Sequence, residues 1–355
     1  MSTSTLAPDL VLPGSQANLH GPARARDLGD FMEATRGQRI DSDTCKLLTV
    51  PPSGGIADSP SHGTSMLGTP VRCPDYTRVR NVETVPDLTC EIYNKTLVAS
   101  NGYCLHLRAY RKESQGSPTK VAVKIFRVVL GEILKALKRE LRVWKSLNHR
   151  NIVPLLGLVS EKLGPGLVTP WYSNGNILQY LRRVPNVKRE PLCEDVARGL
   201  RYLHEQDPPI IHGDIRGANI LVAMDGRAVL CDFGLARILD SGPAGFPSFT
   251  IGCTLRFKAP EEFANDLEGG SIPTDVYSYA CIYAQIMTGE PPFHWHRTDP
   301  PIMRAICRGE LPYKIDSIVS RHDLGFLGPS WDADPSCRPT MSHISRILGI
   351  PEGAP

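Results

Sequence analysis

The sequence is short of several things, and each shortage removes a class of protein. Its formal net charge is only +3 over 355 residues, too small a surplus to hold nucleic acid or an anionic membrane by charge alone. Its ten cysteines form no CxxC pair and keep no regular spacing. Several (Cys231, Cys253, Cys281) stand in apolar segments, a pattern that fits reduced thiols better than disulfides or zinc. The longest apolar run, Val276 to Met287, falls well below the roughly 20 residues that span a bilayer. The N-terminus has no basic-then-apolar leader, and no internal repeat is visible. These absences point to a cytoplasmic protein that binds neither nucleic acid nor membrane. They leave its oligomeric state open.

What is present begins with a change of composition. Residues 1–85 are rich in Pro, Gly, Ser, Thr and Asp, with no sustained period of 2 or 3.6. Such a stretch buries too little apolar surface to offset its ordering entropy. It is predicted to be mostly disordered, apart from a short helix around Asp27 to Thr35, and reads equally as a regulatory tail or an inert leader. Residues 86–349 form the folded domain, divided at 171/172, and 350–355 are a tail. Strands are predicted over Thr89 to Val98, Tyr103 to Tyr110, Val121 to Phe126 and Leu167 to Thr169. In the second of these, Tyr103, Leu105, Leu107 and Ala109 alternate with Cys104, His106 and Arg108, the sign of a half-buried strand. Asn148 to Val153 is predicted to enter a further strand. Helices are predicted over Gly131 to Leu147, with Leu134, Leu137, Leu141 and Trp144 at helical spacing, and around Leu192 to Leu203. Asp275 to Thr288 is apolar nearly all round, hence a buried helix. A short helix closes the chain near Met341 to Leu348.

Four motifs carry the chemistry. His212-Gly213-Asp214-Ile215-Arg216-Gly217-Ala218-Asn219 sets an acid, a cation and an amide on one loop before the apolar Ile220-Leu221-Val222. Cys231-Asp232-Phe233-Gly234 follows, then Lys258-Ala259-Pro260-Glu261. Upstream, Val121-Ala122-Val123-Lys124-Ile125 holds one lysine in an apolar strand, a charge that is costly to bury unless paired. A lone Asp-Phe-Gly is no more than a turn after a strand. All four motifs in this order are similar to the eukaryotic protein-kinase signature set. The chain resembles that family, and within it the tyrosine-kinase-like group of Ser/Thr kinases in a form familiar from mushroom-forming fungi.

The resemblance implies an α+β, bilobal protein-kinase fold. A small antiparallel β lobe with one helix (residues 86–171) would be joined to a larger, mainly helical lobe (172–349). It implies ATP and Mg2+ as cofactors and a protein as substrate. By the same resemblance, Lys124 holds the nucleotide phosphates with Glu140 as its partner. Asp214 accepts the proton of the substrate hydroxyl, and Arg216 touches the transferring phosphoryl group. Asn219 and Asp232 are the magnesium ligands, offering the hard oxygen donors that ion prefers. Ala122, Thr169, Pro170, Tyr172, Leu221 and Gly102 line the nucleotide site. Glu261 is expected to pair with Arg338, and Asp275 to accept hydrogen bonds from the catalytic-loop backbone. Phe233, His212 and Trp144 stack as core.

Two departures mark the pattern. Where the family carries Gly-x-Gly-x-x-Gly, this chain reads Val98-Ala99-Ser100-Asn101-Gly102-Tyr103-Cys104, and side chains there hinder the approach of backbone N–H groups to phosphate. Gly213 stands where many members carry Arg. Three readings follow. One is an active but slow Ser/Thr kinase, favoured by Lys124, Asp214, Asn219 and Asp232 together. Another is a pseudokinase acting as a nucleotide-responsive scaffold, favoured by the degraded loop. The third is a tyrosine or dual-specificity kinase, favoured by Arg216 and opposed by Thr254.

Overall fold

The computed structural model describes residues 85–100, 104–114, 116–126, 141, 143–233, 255–264, 270–314 and 325–351, with the backbone of 25–26 and 237–238. The expected helix at Asp27 to Thr35 lies outside the described residues, as do most of the expected 131–147 helix, Glu140, Gly102 and Thr254. The chain clusters into two compact units.

The first unit takes in residues 1–118, 123–128 and 157–167. It opens on the short antiparallel pair of β1 (Ala25–Arg26) and β2 (Val85–Pro86). Strands β3 (Ile92–Ser100), β4 (Cys104–Arg111), β5 (Thr119–Phe126), β6 (Gly157–Glu161) and β7 (Gly164–Pro170) make a five-stranded antiparallel sheet in the order β3-β4-β5-β7-β6. The alternation read in β4 holds from Leu105 onward: Leu105, Leu107 and Ala109 are buried and His106 and Arg108 partly exposed; Cys104, expected on the open face, is buried as well, and Tyr103 lies outside the described residues. In β5, Val121, Val123 and Ile125 are buried while Ala122 and Lys124 keep partial exposure on the other face, as a period of two requires. β3 begins three residues later than predicted. Asp87 Oδ1 accepts from Thr89 N (3.0 Å) and Leu88 O from Glu91 N (2.9 Å), so a side-chain-capped turn claims Thr89 to Glu91. Farther along β3, Asn94 has φ 49 and the register to β4 shifts at two places, the mark of a bulged strand.

The second unit takes in 119–122, 129–156 and 168–355. Its described helices are α1 (Ile177–Arg183), α2 (Glu190–His204), α3 (Glu261–Ala264), α4 (Ile272–Thr288), α5 (Asp299–Cys307), α6 (Leu327–Ser330) and α7 (Met341–Ile347). Its strands are β8 (Ile210–Ile211), β9 (Ile220–Val222), β10 (Ala228–Leu230) and β11 (Arg237–Ile238). Strand β8 pairs with β11 and β9 with β10, both antiparallel. The apolar stripe of α2 is fully used: Leu192, Val196, Leu200 and Leu203 are each at most 2% exposed. Burying each contributes roughly 1.5–3 kcal/mol. Helix α4 starts at a reciprocal capping box between Ser271 and Thr274 and stops at Gly289, whose φ of 85 suits glycine. Between these ends it is buried nearly all round, Tyr277 and Tyr279 included.

One expectation fails here. Asn148 to Val153 forms no strand, only a single bridge from Ile152 to Leu230. The His149 ring Nδ1 accepts from Asn151 N (3.1 Å) and His149 O from Ile152 N (3.0 Å). This local turn outcompetes extension.

Candidate active site

The site is built on the loop between β8 and β9. Asp275, near the start of α4 and 1% exposed, accepts from the backbone N–H of His212 (2.8 Å) and of Gly213 (2.9 Å). Its second neighbour is His204 Nε2 at 3.0 Å. A buried carboxylate with several donors is a strong anchor, and this one fixes the loop entry as expected. Gly213 sits at φ 76, the left-handed region that glycine enters without steric cost.

His212 joins the loop to the next motif. Its Nδ1 faces Asp214 N (3.2 Å) and its Nε2 faces Cys231 O (3.2 Å). A backbone N–H only donates and a carbonyl only accepts, so the ring is neutral with its proton on Nε2. Cys231 N in turn donates to Asn219 O (3.0 Å). The residue before Asp232 is therefore tied twice to the loop that carries Asp214. Asp232 itself has φ 65, a conformation Asp tolerates better than most side chains. Phe233 is fully buried, its ring centroid 5.1 Å from Trp144 and 5.3 Å from His212. The expected stack is present.

Within the loop, the Asn219 amide nitrogen donates to Asp214 Oδ2 (2.7 Å) and to Asp214 O (2.9 Å). Both of its protons are thereby directed at Asp214, which leaves the amide oxygen as the group that can accept or ligate. Asp214 is 6% exposed and Arg216 9%. Burial pushes the Asp214 carboxyl above its ordinary range; the Arg216 guanidinium opposes this, and the Asp232 carboxylate adds to it. Two carboxylates close enough to feel each other, beside an amide oxygen, make a donor set that suits a hard divalent cation.

The segment expected to meet the nucleotide base is held from both sides. Trp171 N donates to Lys120 O (3.2 Å) and Gly175 N to Tyr172 O (3.0 Å). Thr169, Pro170, Tyr172 and Leu221 are all partly exposed, and Leu221 bridges to Asn176. Burial pushes the Tyr172 phenol up to about 12. On β5, the Lys124 ammonium lies 5.2 Å from the Phe126 ring centroid, within cation–π range.

The Glu261–Arg338 pair is bidentate, at 2.6 and 2.8 Å, with the Arg338 side chain 0% exposed. Arg338 also donates to Asp332 O and Pro273 O. Sequence reasoning missed two other anchors. Asn151, fully buried, donates to Ala228 O (2.8 Å) and accepts at its backbone O from Leu230 N (2.8 Å). Asp195, on the buried side of α2, accepts from Ala228 N (3.0 Å). Their only signal was a polar residue inside an apolar pattern.

The structure thus ties Asn219 to Asp214 by two hydrogen bonds, with Arg216 and Asp232 near enough to act on the Asp214 carboxyl. The protein tyrosine and serine/threonine kinase family matches residues 101–348. The chain belongs to the protein-kinase family and carries its bilobal α+β fold. More particularly, it is similar to serine/threonine kinases of the tyrosine-kinase-like group. It is 31% identical to the probable serine/threonine-protein kinase SIS8 of Arabidopsis thaliana, over 67% of this chain and 23% of that protein. It is 28% identical to the serine/threonine-protein kinase CTR1 of the same plant, over 67% and 29%. Human mitogen-activated protein kinase kinase kinase 1 shares 33% identity over 52% of this chain and 13% of its own length. The chain thus matches less than a third of the length of these three relatives.

Proposed function

We propose that the chain is an ATP- and magnesium-dependent kinase that transfers the γ-phosphoryl group to Ser or Thr of protein substrates. The observation that carries this reading is the pair of hydrogen bonds from the Asn219 amide to Asp214. They aim a carboxylate and leave an amide oxygen for metal on the same short loop.

Phosphoryl transfer asks a protein mainly to position groups and neutralise charge. Asp214 orients the substrate hydroxyl and takes its proton. Arg216 faces the developing charge, bidentately if the geometry of the phosphoryl oxygens allows two bonds. Asn219 and Asp232 hold magnesium, which when bound neutralises charge on the nucleotide phosphates. Lys124 supplies an ammonium for those phosphates. The base meets Ala122, Leu221 and the segment Thr169 to Tyr172.

A second reading, a nucleotide-responsive scaffold, is favoured by the β3–β4 hairpin. Its ladder runs as far as Ser100 opposite Leu105, so side-chain-bearing residues occupy the place of the family's glycines. Incorporation of labelled phosphate by the purified chain separates the readings, with Asp214→Asn as the blank. The kinase reading expects a rate well above the blank, since a positioned acid–base group contributes about 10²–10⁴-fold. Equal rates, with ATP still bound, leave the scaffold.

A further inference from the structure

Helix α4 carries two anchors one turn apart. Asp275 holds the N–H groups of His212 and Gly213, at the entry of the loop that bears Asp214. Three residues on, the Ser278 hydroxyl donates to Phe257 O at 2.7 Å. Residues at i and i+3 of a helix share a face, with Cβ atoms roughly 5–6 Å apart. The short 3-10 turn Leu255–Phe257 is therefore set beside the catalytic loop by the same face of α4. A polypeptide that brings a hydroxyl to Asp214 runs close to this turn.

Arg256, in the middle of the turn, ties it to a second place. One guanidinium nitrogen donates to Pro292 O (2.7 Å) and Phe293 O (3.0 Å), the other to His296 O (2.8 Å). All three acceptors lie in the loop between α4 and α5. That loop is strained: Phe293 has φ 53, the left-handed region that suits a bulky side chain least. Its ring is fully buried, in one cluster with Ile302, Ala305 and Ile306 of α5. Its N–H donates to Pro312 O (2.9 Å), and its O also accepts from His296 N (2.9 Å). Leu255 packs against the same cluster. The turn is thus bound on one side to α4 and on the other to a loop whose unfavourable backbone is fixed by several contacts at once. These contacts involve none of the residues assigned above to nucleotide or magnesium.

We propose that Arg256 is a positioning residue for the protein acceptor. Its fork locks the turn Leu255–Phe257 to the strained loop from Pro292 to His296, and the locked turn guides the acceptor chain to Asp214. The inference rests on the kinase reading above. Lysine is a poor substitute here, since carbonyls spread from Pro292 to His296 need donors spread in a plane rather than one point charge. A purely structural role would lower every activity alike. A positioning role lowers transfer to a protein and leaves transfer to water, which needs no guide.

The test gives the full chain two acceptors, with Asp214→Asn as the blank. One is water, read as ATP hydrolysis; the other is a degenerate mixture of Ser-centred peptides, read as labelled phosphate. Arg256→Met keeps the aliphatic stem and removes the donors. It is expected to lower kcat/KM for the peptides about tenfold or more, since misplacement by about 1 Å costs on the order of a hundredfold. ATP hydrolysis and the KM for ATP are expected to stay within about twofold, because neither involves the acceptor chain. Arg256→Lys is expected to fall between the two, and it decides the matter should the Met variant not fold. Arg297→Met, an exposed side chain of the same loop, is expected to match the unaltered chain. The inference is overturned if both Arg256 variants keep full peptide transfer, or if they lose peptide transfer and hydrolysis in equal proportion. It is also overturned if the peptides accept nothing from an unaltered chain that hydrolyses ATP. If the unaltered chain exceeds the blank with neither acceptor, the kinase reading itself falls and takes this one with it.

Discussion

The loop from His212 to Val222 and the hairpin from Ile92 to Arg111 sit at opposite extremes of constraint. The loop is bound by side chains from elsewhere and from itself: Asp275 takes two of its N–H groups, His212 reaches Asp214 and Cys231, and Asn219 holds Asp214 twice. In the hairpin, the ladder slips at two places, and Leu97 and Val98 are 42% and 54% exposed. One segment is over-determined and the other compliant. A group that must meet a reacting atom within a fraction of an ångström needs the first kind of support. A strand that covers a nucleotide can accept the second, and its local stability is correspondingly lower.

The strongest way to break that contrast is to loosen the loop. Asp275→Ala strands the His212 and Gly213 N–H groups, and each unsatisfied buried group costs about 1–3 kcal/mol. We expect lowered stability in urea unfolding and, in the fraction still folded, a turnover near that of Asp214→Asn. Unchanged turnover in the folded fraction would show that the anchor is structural only.

The hairpin sharpens the contrast from the other side. Ala99→Gly with Asn101→Gly should raise the single-turnover rate of phosphate transfer several-fold, because misplacement by about 1 Å costs on the order of a hundredfold. The KM for ATP should move less. Cys104 is a poor third site for glycine, since its side chain is buried at 7% exposure. A rate that stays flat while KM shifts would mean the hairpin only binds.

A smaller effect is expected from Ser248→Ala with Thr250→Ala, two phosphate acceptors that lie outside the described residues. Gly213 offers an activation-segment phosphate no charge to pair with. Activity within about twofold of the unaltered chain is expected, and near-total loss would contradict it.

The smallest effect concerns acid stability. His149 titrates near 6.5 when unfolded and about 4 when folded. The unfolded chain therefore binds more protons in that window, so stability is lost as pH falls from about 6.5 towards 4 and is unaffected above. His149→Asn keeps an acceptor for Asn151 N and should flatten this fall, as read from thermal midpoints across the window. Parallel curves would assign the acid sensitivity elsewhere.

Much of this was legible in the residues. The β4 alternation, the α2 stripe and the apolar α4 helix each follow from periodicity, and the loop motifs named the residues that now share hydrogen bonds. What escaped was set by pairs distant in sequence or by local competition. Nothing near Asn151 announces Ala228 or Leu230, and nothing near Asp195 announces Ala228. The turn that displaces a strand at Asn148 to Val153 depends on a ring nitrogen accepting from an N–H two residues on.

Gly213 bears on how such a loop can be governed. At φ 76 it rests without strain, whereas a side-chain-bearing residue held there would cost on the order of 1–3 kcal/mol. Installing an arginine at this place would add a handle for an incoming phosphate and set the backbone against its own geometry in the same stroke. There are thus two ways to keep Asp214 in place, one by a relaxed chain that is always set, the other by an external anion that arrives on demand. This loop is built for the first, and an on–off control grafted onto it would begin from a spring that is not loaded.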